Sequence, residues 1–301
     1  MNKGLVYALG AYLTWGLLPI YWKLLHVVTP LEIVSHRIVW SFVVVLAILA
    51  YRRQWQWLKP TLHDRKTLLT FVLISILITV NWGVYIWAVN AGFVVETSLG
   101  YFINPLINVV LGVFFLRERL RLWQWVAVGV AFIGVLYLTL TYGTLPWVAL
   151  TLAFSFGFYG LLKKTASLNA LEGFSLETAF IFGPALLYLA YLQLIGAGSW
   201  GQLDLTTELL LIFSGVITAG PLLMFAAAAR RIPLSLLGLM QYLAPTMQFL
   251  LGVFVYGEPF SRSRLVGFSL IWLALIIYST ERVIEYRRHR IVGLEALSGG
   301  P

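Results

Sequence analysis

Long apolar runs alternate with short polar connectors along the whole chain. The runs fall at 4–25, 32–51, 68–90, 95–116, 122–141, 145–163, 173–195, 208–229, 235–256 and 263–281. Each approaches or exceeds the roughly 20 residues that a helix needs to cross the hydrocarbon core of a bilayer. The connectors carry charges and turn residues, as in RRQWQWLKPTLHDRK at 52–66, RERLR at 117–121 and RRIP at 230–233. The pattern predicts an all-α integral membrane protein of ten transmembrane helices, spans 1 to 10. A block within span 4 returns in span 9. SLGYFINPLINVVLGVFFLRE ends at Glu118, and GLMQYLAPTMQFLLGVFVYGE ends at Glu258. Pro105 aligns with Pro245, LGVF at 111–114 with LGVF at 251–254, and LEIVS at 31–35 with LEGFS at 171–175. Spans 1–5 therefore repeat as spans 6–10. Five is odd, so the second copy must enter the membrane inverted, an arrangement that places a solute site where the copies meet. The expected organisation is a first repeat at 1–142, an inverted second repeat at 143–284 and a flexible cytoplasmic tail at 285–301.

Composition sharpens the class. Charged residues make up 11% of the chain and hydrophobic ones 60%, against about 25% charged in a soluble domain, so most of the exterior must face lipid. The 21 Lys and Arg cluster between the apolar runs, and 17 of them fall on one side if the N-terminus is cytoplasmic. The positive-inside bias then puts both termini in the cytoplasm. The net charge of +9 forms no contiguous basic face, so nucleic acid is not an expected partner. The first apolar run, preceded by MNK, reads as an uncleaved span because it is too long for a signal segment and lacks a small-residue cleavage site. There is no cysteine, and the four histidines, His26, His36, His63 and His289, are scattered. No metal site, P-loop or cofactor is expected.

Polar side chains inside hydrocarbon are costly unless they face protein or a wet cavity, so they mark candidate chemistry. Tyr101, Asn104 and Asn108 stand at i, i+3 and i+7 on one face of span 4. The matching face of span 9 carries Gln241 and Gln248, with Tyr242 beside them. Pro105 and Pro245 each free the carbonyl four residues back, and with Gly83 they are candidate flex points. A solute path and interhelical hydrogen bonding both account for such a stripe; its presence in both halves favours the path. Trp15 of span 1, Asn81 and Tyr85 of span 3 and Tyr159 of span 6 extend it. His36 and Arg37 lie about one turn into span 2, and the offset partner of Arg37 is Glu177 in span 7. Each could bind a solute carboxylate, a proton or a local partner. The alternatives are an end-of-helix arginine that snorkels and a histidine that simply packs. Glu118 and Glu258 close spans 4 and 9, the wrong end for a carboxylate to complement its own helix dipole. Some other contact must hold them there.

These segments carry a resemblance. HRIVWS (36–41), NWGVYIWAVN (81–90), ETSLGYFINPLIN (96–108), LAFSFGFYGLLKK (152–164) and QYLAPTMQFLLGV (241–253) resemble the RarD branch of the EamA-type drug/metabolite transporters. The resemblance implies ten helices in two inverted EamA repeats, an inner-membrane location and export of small organic molecules. Members are commonly labelled chloramphenicol-sensitivity proteins or drug permeases. The expected activity is secondary transport by alternating access, driven by a proton gradient or by solute exchange, with the lipid bilayer and a small-molecule solute as partners. The abundance of Trp and Tyr suits an amphipathic, partly aromatic solute. A lipid flippase of the same fold and a membrane-embedded enzyme are the competing classes.

Overall fold

The computed structural model describes residues 3–25, 27–90, 94–142, 147–255, 265–267, 269–278, 280, 281 and 284. Side chains are described for all of these except 23, 86, 89, 90, 94–99, 142, 249, 252 and 253. Glu258, His26, His289 and the tail at 285–301 lie outside this description, as do the side chains of Asn90 and Glu96.

Every described element is helical. The helices are α1 (Lys3–Leu24), α2 (Pro30–Arg52), α3 (Leu58–His63), α4 (Arg65–Asn90), α5 (Val94–Leu116), α6 (Leu122–Tyr142), α7 (Trp147–Thr165), α8 (Ala170–Leu194), α9 (Leu205–Ala229), α10 (Leu234–Gln241) and α11 (Leu243–Leu250). A π-helical turn follows at Leu251–Val255, and helical residues reappear within Leu265–Tyr278, here α12. Six segments, in α1, α2, α4, α6, α8 and α9, are long and apolar enough to cross a membrane; shorter apolar stretches occupy Gly100–Leu116 of α5 and α12.

Local chemistry sets the starts. Thr29 is extended and Pro30 opens α2, where its missing N–H costs nothing. Asn169 and Glu172 form a reciprocal capping box at α8, and Asp204 caps α9. Two sequence expectations change. The connector at 52–66 contains a short helix, α3, whose Pro60 falls in the first turn and is tolerated there. Span 9 is not one helix: it breaks at Tyr242 into α10 and α11. The break falls just before Pro245, which sits in the first turn of α11 and cannot donate to Gln241. Pro105, by contrast, lies inside a continuous α5.

The helices pack as an interleaved bundle. α1 runs against α9 and α11, α2 against α8 and α9, α4 against α7 and α8, and α5 against α7 and α10. The main core joins Ala8, Ala11 and Tyr12 of α1 with Phe71, Ile74 and Ile78 of α4, Tyr159 of α7, Phe174 of α8 and Phe225 of α9. A second cluster joins α5 and α6 to α12 through Phe102, Ala127, Ala131, Ile271 and Ala274. One crossing depends on a bare backbone. A Cβ on Gly215 of α9 would stand 2.4 Å from the carbonyl carbon of Trp40 in α2, and Ser41 Oγ donates to the Gly215 carbonyl at 3.1 Å. Outside the bundle, Val6, Leu9, Leu13, Leu17, Ile20 and Leu24 form an exposed apolar stripe along α1, the face expected toward lipid.

Candidate solute site

The two ends of the bundle differ. At one end lie the N-terminus of α1, the ends of α5, α7 and α9, and the starts of α4, α8 and α10; it carries most of the basic residues. Here Glu118 acquires its explanation. The chain leaves α5 through Arg117, at φ 54°, and the Glu118 N–H bonds back to the Gly112 carbonyl at 3.1 Å. The Glu118 carboxylate then folds across Gly112 and accepts from Leu234 N–H at 2.6 Å, Ser235 N–H at 3.0 Å and Ser235 Oγ at 2.6 Å. It stands at the C-terminus of α5 but at the N-terminus of α10, so it complements the dipole of a different helix. Lys164 Nζ lies 3.9 Å from the same carboxylate and donates to the carbonyls of Ala229 and Ile232 at 3.0 and 2.6 Å. Arg230 Nη1 reaches the carbonyls of Ala166 and Leu168, and Tyr12 Oη donates to the Leu237 carbonyl at 2.9 Å. The basic end is latched.

The predicted polar stripe is buried between helices. Asn81 Nδ2 donates to the Leu152 carbonyl at 3.0 Å and to Ser155 Oγ at 2.9 Å. Asn104 Nδ2 donates to the Ala153 carbonyl at 2.7 Å. Asn108 Nδ2 donates to Asn104 Oδ1 at 3.2 Å and to Gln241 Oε1 at 3.0 Å. Gln248 Nε2 donates to the Trp15 carbonyl at 2.9 Å. These amides tie α7 to α4 and α5, α5 to α10, and α11 to α1. Among these amides, Asn108 Oδ1 is a buried acceptor without a partner among the described residues. Gly238 lets α10 approach here, since a Cβ would stand 2.6 Å from Asn108 Cβ and 2.8 Å from the Pro105 carbonyl oxygen. Trp15 packs with Tyr12, Phe156 and Phe225, ring centroids 5.7, 5.8 and 5.7 Å away. Tyr159 stacks on Phe225 within the same cluster, and Tyr242 is fully buried against Phe102.

Toward the other end the interior changes character. Arg37 is only half-buried although it points among helices. Its Nε donates to Thr218 Oγ1 of α9 at 2.9 Å. Its guanidinium carbon lies 4.6 Å from the Trp22 ring of α1 and 5.1 Å from the Trp82 ring of α4. Tyr85 and Tyr101, whose rings are 5.8 Å apart, stand close enough to interact with it electrostatically, as does Tyr21. Trp22, Trp82 and Tyr101 are partly accessible and Tyr85 is exposed. Partly exposed aromatic side chains from three helices therefore gather near this arginine. Sequence reasoning found Arg37, Tyr85 and Tyr101 but missed Trp22, Trp82 and Thr218. Nothing in the spacing of one helix shows which residues of others converge on it.

Glu177 lies elsewhere, paired with Lys163 in full burial, with side-chain exposures of 1% and 3%. The Lys163 ammonium also sits 5.5 to 5.8 Å from the rings of Phe71, Tyr159 and Phe174. Lys163 was missed as well: beside Lys164 at a helix end it reads as a loop cation. His36 stacks on Trp200 at 5.2 Å and 30°, and neither ring nitrogen has a hydrogen-bond partner among the described residues. Above it, Glu32 accepts from Ser199 N–H and Oγ at 2.7 and 2.9 Å. No cluster of metal-ligating residues occurs among the described residues.

Comparison with known proteins adds the following. Residues 2–140 match the profile of the EamA-like transporter family. Protein RarD of Streptomyces exfoliatus is 48% identical, covering 96% of this chain and 92% of that protein. The uncharacterized transporter YojE of Bacillus subtilis (strain 168) is 49% identical, covering 94% and 95%. A solved crystal structure 18% identical to this chain superposes with a TM-score of 0.68, covering 92% of this chain and 97% of that one, a likeness of fold.

Proposed function

Since the chain belongs to the RarD group of the EamA-like transporters, and so is a multi-pass membrane transporter, we propose that it is a secondary carrier exporting a small organic metabolite or drug. It works by alternating access in the bacterial inner membrane, with both termini cytoplasmic. The observation that carries this reading is the contrast between the ends: a polar latch closes the basic end, while Arg37 and the aromatic side chains near it stay partly exposed toward the other. That is the arrangement of a carrier resting in one of its two states.

The helix pairings support two inverted five-helix repeats at 1–142 and 143–284. Exchange α1 with α7, α2 with α8, α4 with α9, and α5 with α10–α11. The α1–α9 packing then becomes α7–α4, α5–α7 becomes α10–α11 against α1, and α2–α9 becomes α8–α4; α2–α8 and α5–α10 return to themselves. The amide bonds follow the same rule: Asn104 of α5 donates to a carbonyl of α7, and Gln248 of α11 to a carbonyl of α1.

The chain contains no cysteine, so single cysteines report without a background. Arg119→Cys and Pro259→Cys, placed next to the two repeated glutamates, should react with a membrane-impermeant maleimide from opposite faces of the membrane. Reaction of both from the same face removes the inversion and the carrier with it.

A further inference from the structure

We propose that Arg37 is the anion anchor of the solute site, and that the solute carries one carboxylate on a flat apolar body. This rests on the carrier reading above and names the class of molecule carried.

The arginine is held inward. Seven residues past Pro30, it lies about 10 Å along α2 at 1.5 Å per residue, and it makes contacts with α1, α4 and α9 at once. An arginine that merely snorkels sends its head toward the headgroups; this one is fastened to Thr218 and two indoles. The Thr218 bond occupies Nε, and Nη1 and Nη2 have no hydrogen-bond or ion-pair partner among the described residues. That leaves the forked edge of the guanidinium, the edge whose two donors match the two oxygens of a carboxylate. Glu32 of the same helix is bound by Ser199, and Glu177, which lies elsewhere, neutralises Lys163. A cation at this depth calls for an anion, and the described protein supplies none.

The walls specify the rest. Trp22 and Trp82 set ring surface beside the guanidinium, and Tyr85 and Tyr101, whose rings are 5.8 Å apart, lie within electrostatic reach of it, which suits a planar apolar body. Lys163 is already paired, so among the described residues Arg37 meets a single negative charge; a phosphate ester or polyanion would need more. The inverted repeat gives the same chemistry an internal precedent. Position 177 is the offset equivalent of position 37, and there the buried cation has its carboxylate from within the chain.

The test uses the purified, full-length protein in detergent and matched acid and amide probes: 3-phenylpropionate against 3-phenylpropionamide, and 3-indolepropionate against its amide. Binding is read by titration calorimetry, and by the shift in melting temperature that a native-state ligand produces. The acids should bind at least about tenfold more tightly than their amides, a difference near 1.4 kcal/mol. Arg37→Gln should erase that preference. Arg37→Lys, which keeps the charge and loses the fork, should retain part of it. Equal binding of acid and amide, absence of acid binding, or an undiminished preference in Arg37→Gln each overturns the proposal. The acid–amide comparison needs no variant, so it stands even if Arg37→Gln does not fold. Acid binding without translocation in proteoliposomes would keep the anion site and remove the carrier. Translocation that ignores Arg37→Gln would do the reverse.

Discussion

Glu118→Ala is the perturbation that most directly tests closure of the basic end. The carboxylate accepts three hydrogen bonds, at 2.6, 3.0 and 2.6 Å, all from the first turn of α10 and two of them from backbone N–H groups. Loss of an N-cap costs about 1 kcal/mol, and each hydrogen bond to a charged acceptor contributes about 1.5–3 kcal/mol. The three share one group whose side chain is 13% exposed, so water replaces part of them and they do not add. A loss of about 3 kcal/mol follows. If the latch exists only when the basic end is closed, that loss shifts the closed–open equilibrium roughly a hundredfold toward open. Glu118→Gln keeps one acceptor and should shift it roughly tenfold. Ala8 of α1 is wholly buried near this end, in the core with Phe225, Ala229 and Leu237. An Ala8→Cys chain should react slowly with an impermeant maleimide in inside-out vesicles. Adding Glu118→Ala should raise that rate by up to about two orders of magnitude, following the open population. A lower melting temperature with unchanged labelling would refute the reasoning: the carboxylate would then cap α10 equally in every state.

Gly215→Ala should cost folded protein outright, by about 3 kcal/mol or more, because the new Cβ meets α2 backbone at 2.4 Å and no rotamer relieves it; yield and melting temperature after gel filtration read this. Lys163→Met should destabilise by about 3–5 kcal/mol by stranding Glu177, whereas Lys163→Met with Glu177→Leu should recover most of the loss, as a double-mutant cycle on thermal denaturation would show. Asn104→Leu and Gln241→Leu should leave the protein folded, at about 1 kcal/mol each, while stopping transport in proteoliposomes; normal transport by both would reduce the amide knot to packing alone. Asp64 and Asp204 accept from Thr67 and Thr207, which hold both carboxyls below the ordinary 3.8. Their stabilisation is complete above that value and lost as pH falls through the lower folded one, so melting temperature should drop in acid, and less so in Asp204→Asn.

What the sequence displayed was whatever local pattern controls. Apolar length placed the helices, since a span must satisfy its own backbone bonds. Helical periodicity put Asn104 and Asn108 on one face with Tyr101. Tertiary convergence was hidden. Lys163 stands next to Lys164 at a helix end, and only the docking of α8 turns one of them inward onto Glu177 while the other reaches the carbonyls of Ala229 and Ile232. Glu118 looked misplaced because its partner, the start of α10, lies 116 residues away. The cage around Arg37 draws Trp22, Trp82 and Thr218 from three helices, and no spacing within one helix encodes that.

The two proline-centred blocks show how similar sequence takes two forms. Pro105 and Pro245 remove the same donor, yet α5 stays continuous and its counterpart breaks at Tyr242. The difference lies in what each helix packs against. α5 runs along α7, and one straight partner favours one straight helix. Its counterpart serves two neighbours: α10 lies on α5, admitted by Gly238, and α11 turns to α1, where Gln248 bonds the Trp15 carbonyl. The proline makes a break inexpensive at both sites, and packing decides where it is used. If the carrier's other state exchanges the roles of the halves, as inverted repeats allow, then the break belongs at Pro105 in that state and α10–α11 straightens. The latch should move with it. The offset that carries Glu118 to Glu258 carries Leu234 and Ser235 to Val94 and Val95 at the start of α5, so the repeat predicts that Glu258 caps that helix when the far end closes. One pair of repeated glutamates would then serve as alternate locks, each holding the N-terminus of the opposite repeat's proline helix.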